Sequence, residues 1–132
     1  MRKAMRVGLA GLMAAALLSG AGAAYANDDD VIAEGSCSGA TDWKLKHSPE
    51  NNGSIIEIEW EIDQNQVGDT WKWNIRYNGA KVGSGQAVTQ APSGSFEVQR
   101  NVSNQAGADT SVATAKNLQT GEVCKGTVTS NF

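Results

Sequence analysis

In the segment Ile56-Glu57-Ile58-Glu59-Trp60-Glu61-Ile62, three glutamates alternate with large apolar residues. On an extended chain, side chains two residues apart stand about 6.7 Å from one another on the same face. Glu57, Glu59 and Glu61 therefore form a carboxylate row whose spacing suits an inverting glycosidase pair, for which roughly 6.5–9.5 Å is required. The same row could receive a metal or a basic peptide. Glycoside hydrolysis also needs a cleft and one carboxyl group of raised pKa, and an open sheet face solvates all three. Lys44 and Lys46 on the preceding strand are ordinary cross-strand partners for such a row. A solvated charge ladder is the favoured reading, a site for a basic partner comes second and catalysis last.

The remaining chemistry-bearing residues are sparse. His47 is the single histidine, and without a second histidine or a cysteine cluster the chain lacks the spacing of a zinc site. Ser48 precedes a proline and has none of the G-x-S-x-G surroundings of an esterase nucleophile. The glycines of Lys81-Val82-Gly83-Ser84-Gly85-Gln86 lack the lysine position and strand-to-helix setting of a phosphate-binding loop. A Ser/His/Asp triad assembled only by the tertiary fold is the one enzymatic arrangement left open. No catalytic residue, metal or cofactor is assigned.

In Gly68-Asp69-Thr70-Trp71-Lys72-Trp73-Asn74-Ile75-Arg76-Tyr77-Asn78-Gly79, the residues Trp71, Trp73, Ile75 and Tyr77 share one face. A small domain has few large apolar side chains, and each buried aromatic hides about 150–250 Å2. Trp73, Ile75 and Trp60 are therefore assigned to the core. Trp71 and Tyr77 fall at strand ends, where half-burial is common. With Arg76 and Asp69 they are the candidate ligand-binding residues.

These residues must be positioned by a short exported chain. Arg2, Lys3 and Arg6 precede an uncharged apolar stretch that leads to Ala24-Tyr25-Ala26. The stretch is shorter than the about 20 residues of a membrane span, and residues 1–26 read as a signal peptide. Cys37 lies too far beyond the cleavage point for a lipid anchor. Loss of Arg2, Lys3 and Arg6 takes the net charge from −3 to −6 and leaves eight of the 11 basic residues. They are scattered along the sequence, so nucleic-acid binding, which needs local neutralisation of phosphates, is not expected. Residues 27–36 read as a flexible acidic leader and residues 37–132 as one domain. Cys37 and Cys124 read as a disulfide of an oxidising compartment, which loop entropy values at about 4.6 kcal/mol.

Period-two alternation bounded by turn residues predicts strands over residues 43–46, 55–62, 71–77, 80–88, 95–102, 110–116 and 123–129. Asn78-Gly79 marks a two-residue hairpin. Gly83 and Gly85 mark the strand from Ala80 to Val88 as bulged or at an edge. The phase of residues 110–116 is open, because Val112 opposes Ala113 and Ala115. The expectation is an all-β, seven-stranded antiparallel immunoglobulin- or fibronectin-like sandwich. The cysteine positions add a parallel pairing of its first and last strands. Loops 63–69 and 104–109 are expected at one end of the domain, Asn78-Gly79 and 118–122 at the other.

The functional expectation is a secreted, non-enzymatic binding module for an extracellular protein or glycan, with no membrane insertion. Its Gly/Ala-rich signal and asparagine-rich turns resemble those of exported bacterial proteins. One alternative is a cell-surface structural protein that self-associates through the Ala80–Val88 edge. Another is a small enzyme inhibitor presenting Ala91-Pro92-Ser93-Gly94. Asn52-Gly53-Ser54 and Asn101-Val102-Ser103 match the N-glycosylation pattern.

Overall fold

The computed structural model describes residues 29–132, so the signal peptide expected at residues 1–26 lies outside the described part. Eight strands follow one another: β1 (Val31–Ser36), β2 (Asp42–Glu50), β3 (Ile55–Asp63), β4 (Thr70–Tyr77), β5 (Ala80–Val88), β6 (Ser95–Ser103), β7 (Asp109–Asn117) and β8 (Val123–Ser130). They form two four-stranded sheets, ordered β1-β2-β3-β6 and β5-β4-β7-β8. Every strand pairing is antiparallel. No described helix is long and apolar enough to cross a membrane.

This corrects the expected seven-stranded immunoglobulin-like arrangement with parallel first and last strands. The eighth strand is β1, drawn from residues that the sequence placed in the mobile leader. Its inward residues are only Val31, Ala33 and Gly35, and its neighbours are acidic, so its apolar signal is weak. Once β1 pairs with β2, from Val31 opposite His47 to Ser36 opposite Asp42, that edge is filled. β8 instead pairs with β7 in the other sheet. The Cys37–Cys124 disulfide forms, with Cα atoms 4.3 Å apart. It ties the β1–β2 turn to the start of β8 across the sandwich, so covalent proximity there does not report strand pairing. The β3–β4 and β7–β8 loops share one end of the sandwich, while β4–β5 and β6–β7 share the other. Loop 63–69 is thus grouped with 118–122 and Asn78-Gly79 with 104–109, which corrects the expected grouping of 63–69 with 104–109.

The interior follows from strand alternation. Ile56, Ile58, Trp60 and Ile62 of β3 face Trp71, Trp73, Ile75 and Tyr77 of β4, and all are buried. Ala113 and Ala115 point inward and Val112 outward, which settles the phase of β7. β5 is an edge strand whose register skips Val82, between Gly83 opposite Ile75 and Lys81 opposite Arg76, so the irregularity lies beside Gly83 while Gly85 pairs regularly with Trp73.

The two open flanks of the sandwich are closed by indole rings laid on glycines. Trp43 lies against Gly35 of β1 and Gly126 of β8, where an added Cβ would stand 2.6 Å from the ring in each case. On the other flank Trp73 lies against Gly83 and Gly85, and Arg100 of β6 covers its ring at 4.9 Å. Glycine is required by the ring at Gly35 and Gly126, whereas an added Cβ at Gly83 would meet Arg100 first and one at Gly85 would make ordinary contact. Gly126→Ala is expected to cost about 1–3 kcal/mol through overpacking, measured by urea unfolding. The penalty should shrink in a Trp43→Leu background. Equal penalties in both backgrounds would show that the ring contact is not its cause.

Candidate functional site

The four residues named as ligand-binding candidates do not converge. Trp71 is fully buried, and its Nε1 donates to Gln64 Oε1 at 3.0 Å. Gln64 and Asn117 donate in turn to Asp69 Oδ2 at 2.6 and 2.9 Å. These two bonds, that from Asn117 foremost, hold the Asp69 carboxyl below the usual carboxylate range. Tyr77 lies at the opposite end of β4, buried, donating to Asp109 Oδ1 at 2.7 Å and accepting from Gln105 N at 3.1 Å. Burial, and then the bond to Asp109, raises its hydroxyl pKa. Arg76 is exposed on the outer face of the same strand. Trp71, Asp69 and Tyr77 thus hold loops to the core, and Arg76 is the one of the four that is exposed, with Nη1 donating to Gly79 O at 3.2 Å.

His47 is also enclosed, with Nδ1 2.8 Å from Ser130 Oγ and Nε2 2.6 Å from Ser111 Oγ. All three residues are buried. No carboxylate orients the ring in the manner of a triad, and no substrate reaches either hydroxyl. Burial lowers the His47 pKa to about 4, against the attraction of Asp109. At the disulfide end, a cleft of about 470 Å3 is bordered by Ser38, Thr41, Gln64, Gln66, Thr120 and Glu122. Its carboxylate is already engaged, since Glu122 accepts from Gly39 N, Thr41 N and Thr41 Oγ1 at 2.8, 3.0 and 2.7 Å. The Ala91–Gly94 turn packs back on the β3–β4 loop, with Gln64 N donating to Gly94 O at 3.0 Å. It does not protrude as an inhibitory loop would.

The surfaces left for recognition are the two outer sheet faces, and the fold sorts charge between them. The face of β5-β4-β7-β8 presents Lys81, Lys72, Arg76, Lys116 and Lys125, with no carboxylate at any outward position. All five are exposed, and none enters an ion pair among the described residues. The outward positions of β1-β2-β3-β6 carry Glu34, Asp42, Glu50, Glu57, Glu61, Asp63 and Glu97 with Lys44 at the surface, while Glu59 and Lys46 on the same side are buried. The two lysines are cross-strand partners of the glutamate row, Lys44 with Glu61 at 3.2 Å and Lys46 with Glu59 at 3.1 Å. Lys46 and Glu59 are buried, however, and Lys46 also meets Asp30 at 3.7 Å, which corrects the expectation of a fully solvated ladder.

Register sharpens this segregation. Lys72 stands directly opposite Lys116, and Arg76 opposite Lys81. On the other face Asp42 stands opposite Asp63, and Glu61 opposite Glu97. Carboxylate oxygens of Glu59, Glu61 and Glu97 lie within 4.8 Å of one another. Like charges in direct register destabilise a sheet. The crowding is felt at Asp63, whose pKa is raised by burial and then by Glu61 and Asp42, and at Glu57, raised by burial and then by Glu59 and Glu50. Sequence reasoning missed the basic face because its residues come from four strands. Their shared outward phase was visible only within single strands, as for Lys72 and Arg76.

The described residues therefore define a two-sheet antiparallel β-sandwich with oppositely charged faces. No family model and no curated protein matches the chain. Among solved structures it is similar to the crystal structure of chicken MD-1 complexed with lipid IVa. That likeness has 13% identity and a TM-score of 0.35, over 82% of this chain and 94% of that one.

The enclosed imidazole makes stability pH-dependent. An unfolded histidine takes its proton near pH 6.5 and the folded one only near pH 4. The His47 contribution is therefore complete above pH 6.5 and is lost as pH falls toward 4, by up to about 3 kcal/mol. Glu57 and Asp63 act with the opposite sign, since raised carboxyl pKa values favour the fold as pH falls. The comparison that isolates His47 is the urea midpoint against pH for the native chain and His47→Gln. The difference between the two curves should narrow across that window, and parallel curves would contradict it.

Proposed function

We propose that this protein is an exported, non-enzymatic binding module whose contact surface is the outer face of β5-β4-β7-β8, recognising acidic groups on an extracellular protein or glycan. The observation that carries this reading is the set of five exposed basic residues with no carboxylate among them. Two like-charge pairs in register cost the isolated fold stability, and an anionic partner would relieve them. The setting supports it as well. A sequence of signal-peptide type precedes the domain, and the disulfide belongs to an oxidising compartment. Thr114, Thr127, Asn74 and Ser84 lie between the basic side chains and supply short hydrogen-bonding groups at the same surface. A flat sheet face of this kind suits an extended or planar partner better than a small enclosed ligand.

Heparin serves as a polyanionic glycan probe. The native protein is expected to be retained on immobilised heparin at low salt and released as salt rises. Lys72→Gln/Lys116→Gln/Lys125→Gln should weaken binding by about 1–3 kcal/mol, roughly 5- to 150-fold. Lys44→Gln, on the opposite face, should leave it unchanged. Equal retention of the triple variant and the native protein would remove the basic face as the contact surface.

A further inference from the structure

We propose that the acidic surface met by the basic face is the β1-β2-β3-β6 face of a second copy of this chain, so that the protein stacks face to face. The inference rests on the reading of the basic face as a contact surface and names its partner. The observation behind it is the complementarity of like-charge registers. One face repeats positive pairs, Lys72 with Lys116 and Arg76 with Lys81, and the other repeats negative pairs, Asp42 with Asp63 and Glu61 with Glu97. Each arrangement opposes the monomer and is compensated when the two faces meet. Exposed Asp42, Asp63, Glu34 and Glu97 lie in the half of their sheet nearest the disulfide, beside Lys44 with Glu61. Lys72, Lys116 and Lys125 lie in the corresponding half of the other sheet.

Geometry agrees with charge. Both faces are four strands wide, about 19 Å at the usual strand spacing, by strands of roughly 27 Å. That is a projected area of at most about 500 Å2, below what one side of a standard interface buries, and because Lys46, Ser48 and Glu59 are buried the open part of the acidic face is mainly its half nearest the disulfide. The contact is therefore weak and electrostatically held. Because the two faces are on opposite sides of one sandwich, the contact is heterologous and open-ended, with each copy adding about 20 Å, two sheet-to-sheet spacings. The β5 edge is a poorer joint. Its register irregularity and Lys81 are devices that keep an edge from pairing.

Sedimentation velocity across a concentration series tests this. The native protein at low salt is expected to form species larger than a dimer as concentration rises, and to sediment as a monomer near 1 M salt, where the Debye length is about 3 Å. Lys72→Gln/Lys116→Gln/Lys125→Gln should stay monomeric alone, as should Glu34→Gln/Asp63→Asn/Glu97→Gln. Both variants remove like-charge pairs and so should fold at least as well as the native chain. Mixed in equal amounts, they keep one complementary pair of faces and should form a two-subunit species and nothing longer. A native protein that is monomeric at every concentration, assembly indifferent to salt, or a mixture that remains monomeric would overturn stacking. Heparin retention that depends on Lys72, Lys116 and Lys125 in a protein that stays monomeric would sink the stack and leave the binding-face reading standing. Loss of heparin retention with salt-sensitive stacking intact would exclude the glycan and keep the second copy.

Discussion

Two tryptophan rings pressed onto edge-strand glycines set the terms for everything else in this molecule. A sandwich of two four-stranded sheets has a long open flank on each side, and a chain of this length has few bulky side chains with which to close them. Trp43 closes one flank between Gly35 and Gly126, and Trp73 closes the other against Gly83 and Gly85 under Arg100. A methyl group at any of the closest contacts would displace a ring from a packed interior, where even single methylenes are felt. With the rings in place, Trp60, Trp71 and the isoleucines of β3 and β4 fill the middle. The phase of the strands is thereby fixed, and with it the set of residues that must point to solvent.

That phase connects packing to recognition. Because a one-residue slip would turn every side chain to the other face, the inward tryptophans also determine that Lys72, Arg76 and Lys116 point outward together. The β2–β3 register does the same for Asp42 and Asp63. Opposite signs face one another across strands at Lys44 with Glu61 and Glu34 and at Lys46 with Glu59. Four other directly opposed pairs carry the same sign. Each subtracts something of the order of tenths of a kcal/mol from stability, which the core and the disulfide must offset.

The core was legible in the sequence wherever alternation was strong. Ile56 to Ile62 showed its dry and wet sides without ambiguity, and the Trp71 to Tyr77 stripe faced inward as its composition required, extending to the two ends that had been left for a ligand. β1 was not legible, because a strand whose inward residues are valine, alanine and glycine between acids looks like solvated chain. Its pairing with β2 is a tertiary fact. The disulfide was legible as a bond but misleading as topology, since a turn-to-strand tie and a strand-to-strand tie give the same cysteine spacing. The basic face was hidden for a related reason: five residues scattered from Lys72 to Lys125 become neighbours only through three strand registers.

The same reasoning separates the polar groups that serve the fold from those that serve a partner. Asp69, Tyr77, His47 and Glu122 each sit at an end of the sandwich, and each is turned inward onto donors or acceptors of a neighbouring loop. Buried polar groups left unsatisfied would cost more than these contacts gain, so such residues are committed before any ligand arrives. Lys72, Lys81, Lys116 and Lys125 are exposed without an ion pair among the described residues, and Arg76 makes one exposed bond, to Gly79 O at 3.2 Å. They keep their hydration and their charge, and water and salt screen their mutual repulsion. The fold thus leaves its polar ends satisfied and gathers like charges on one open face, at a small cost in stability.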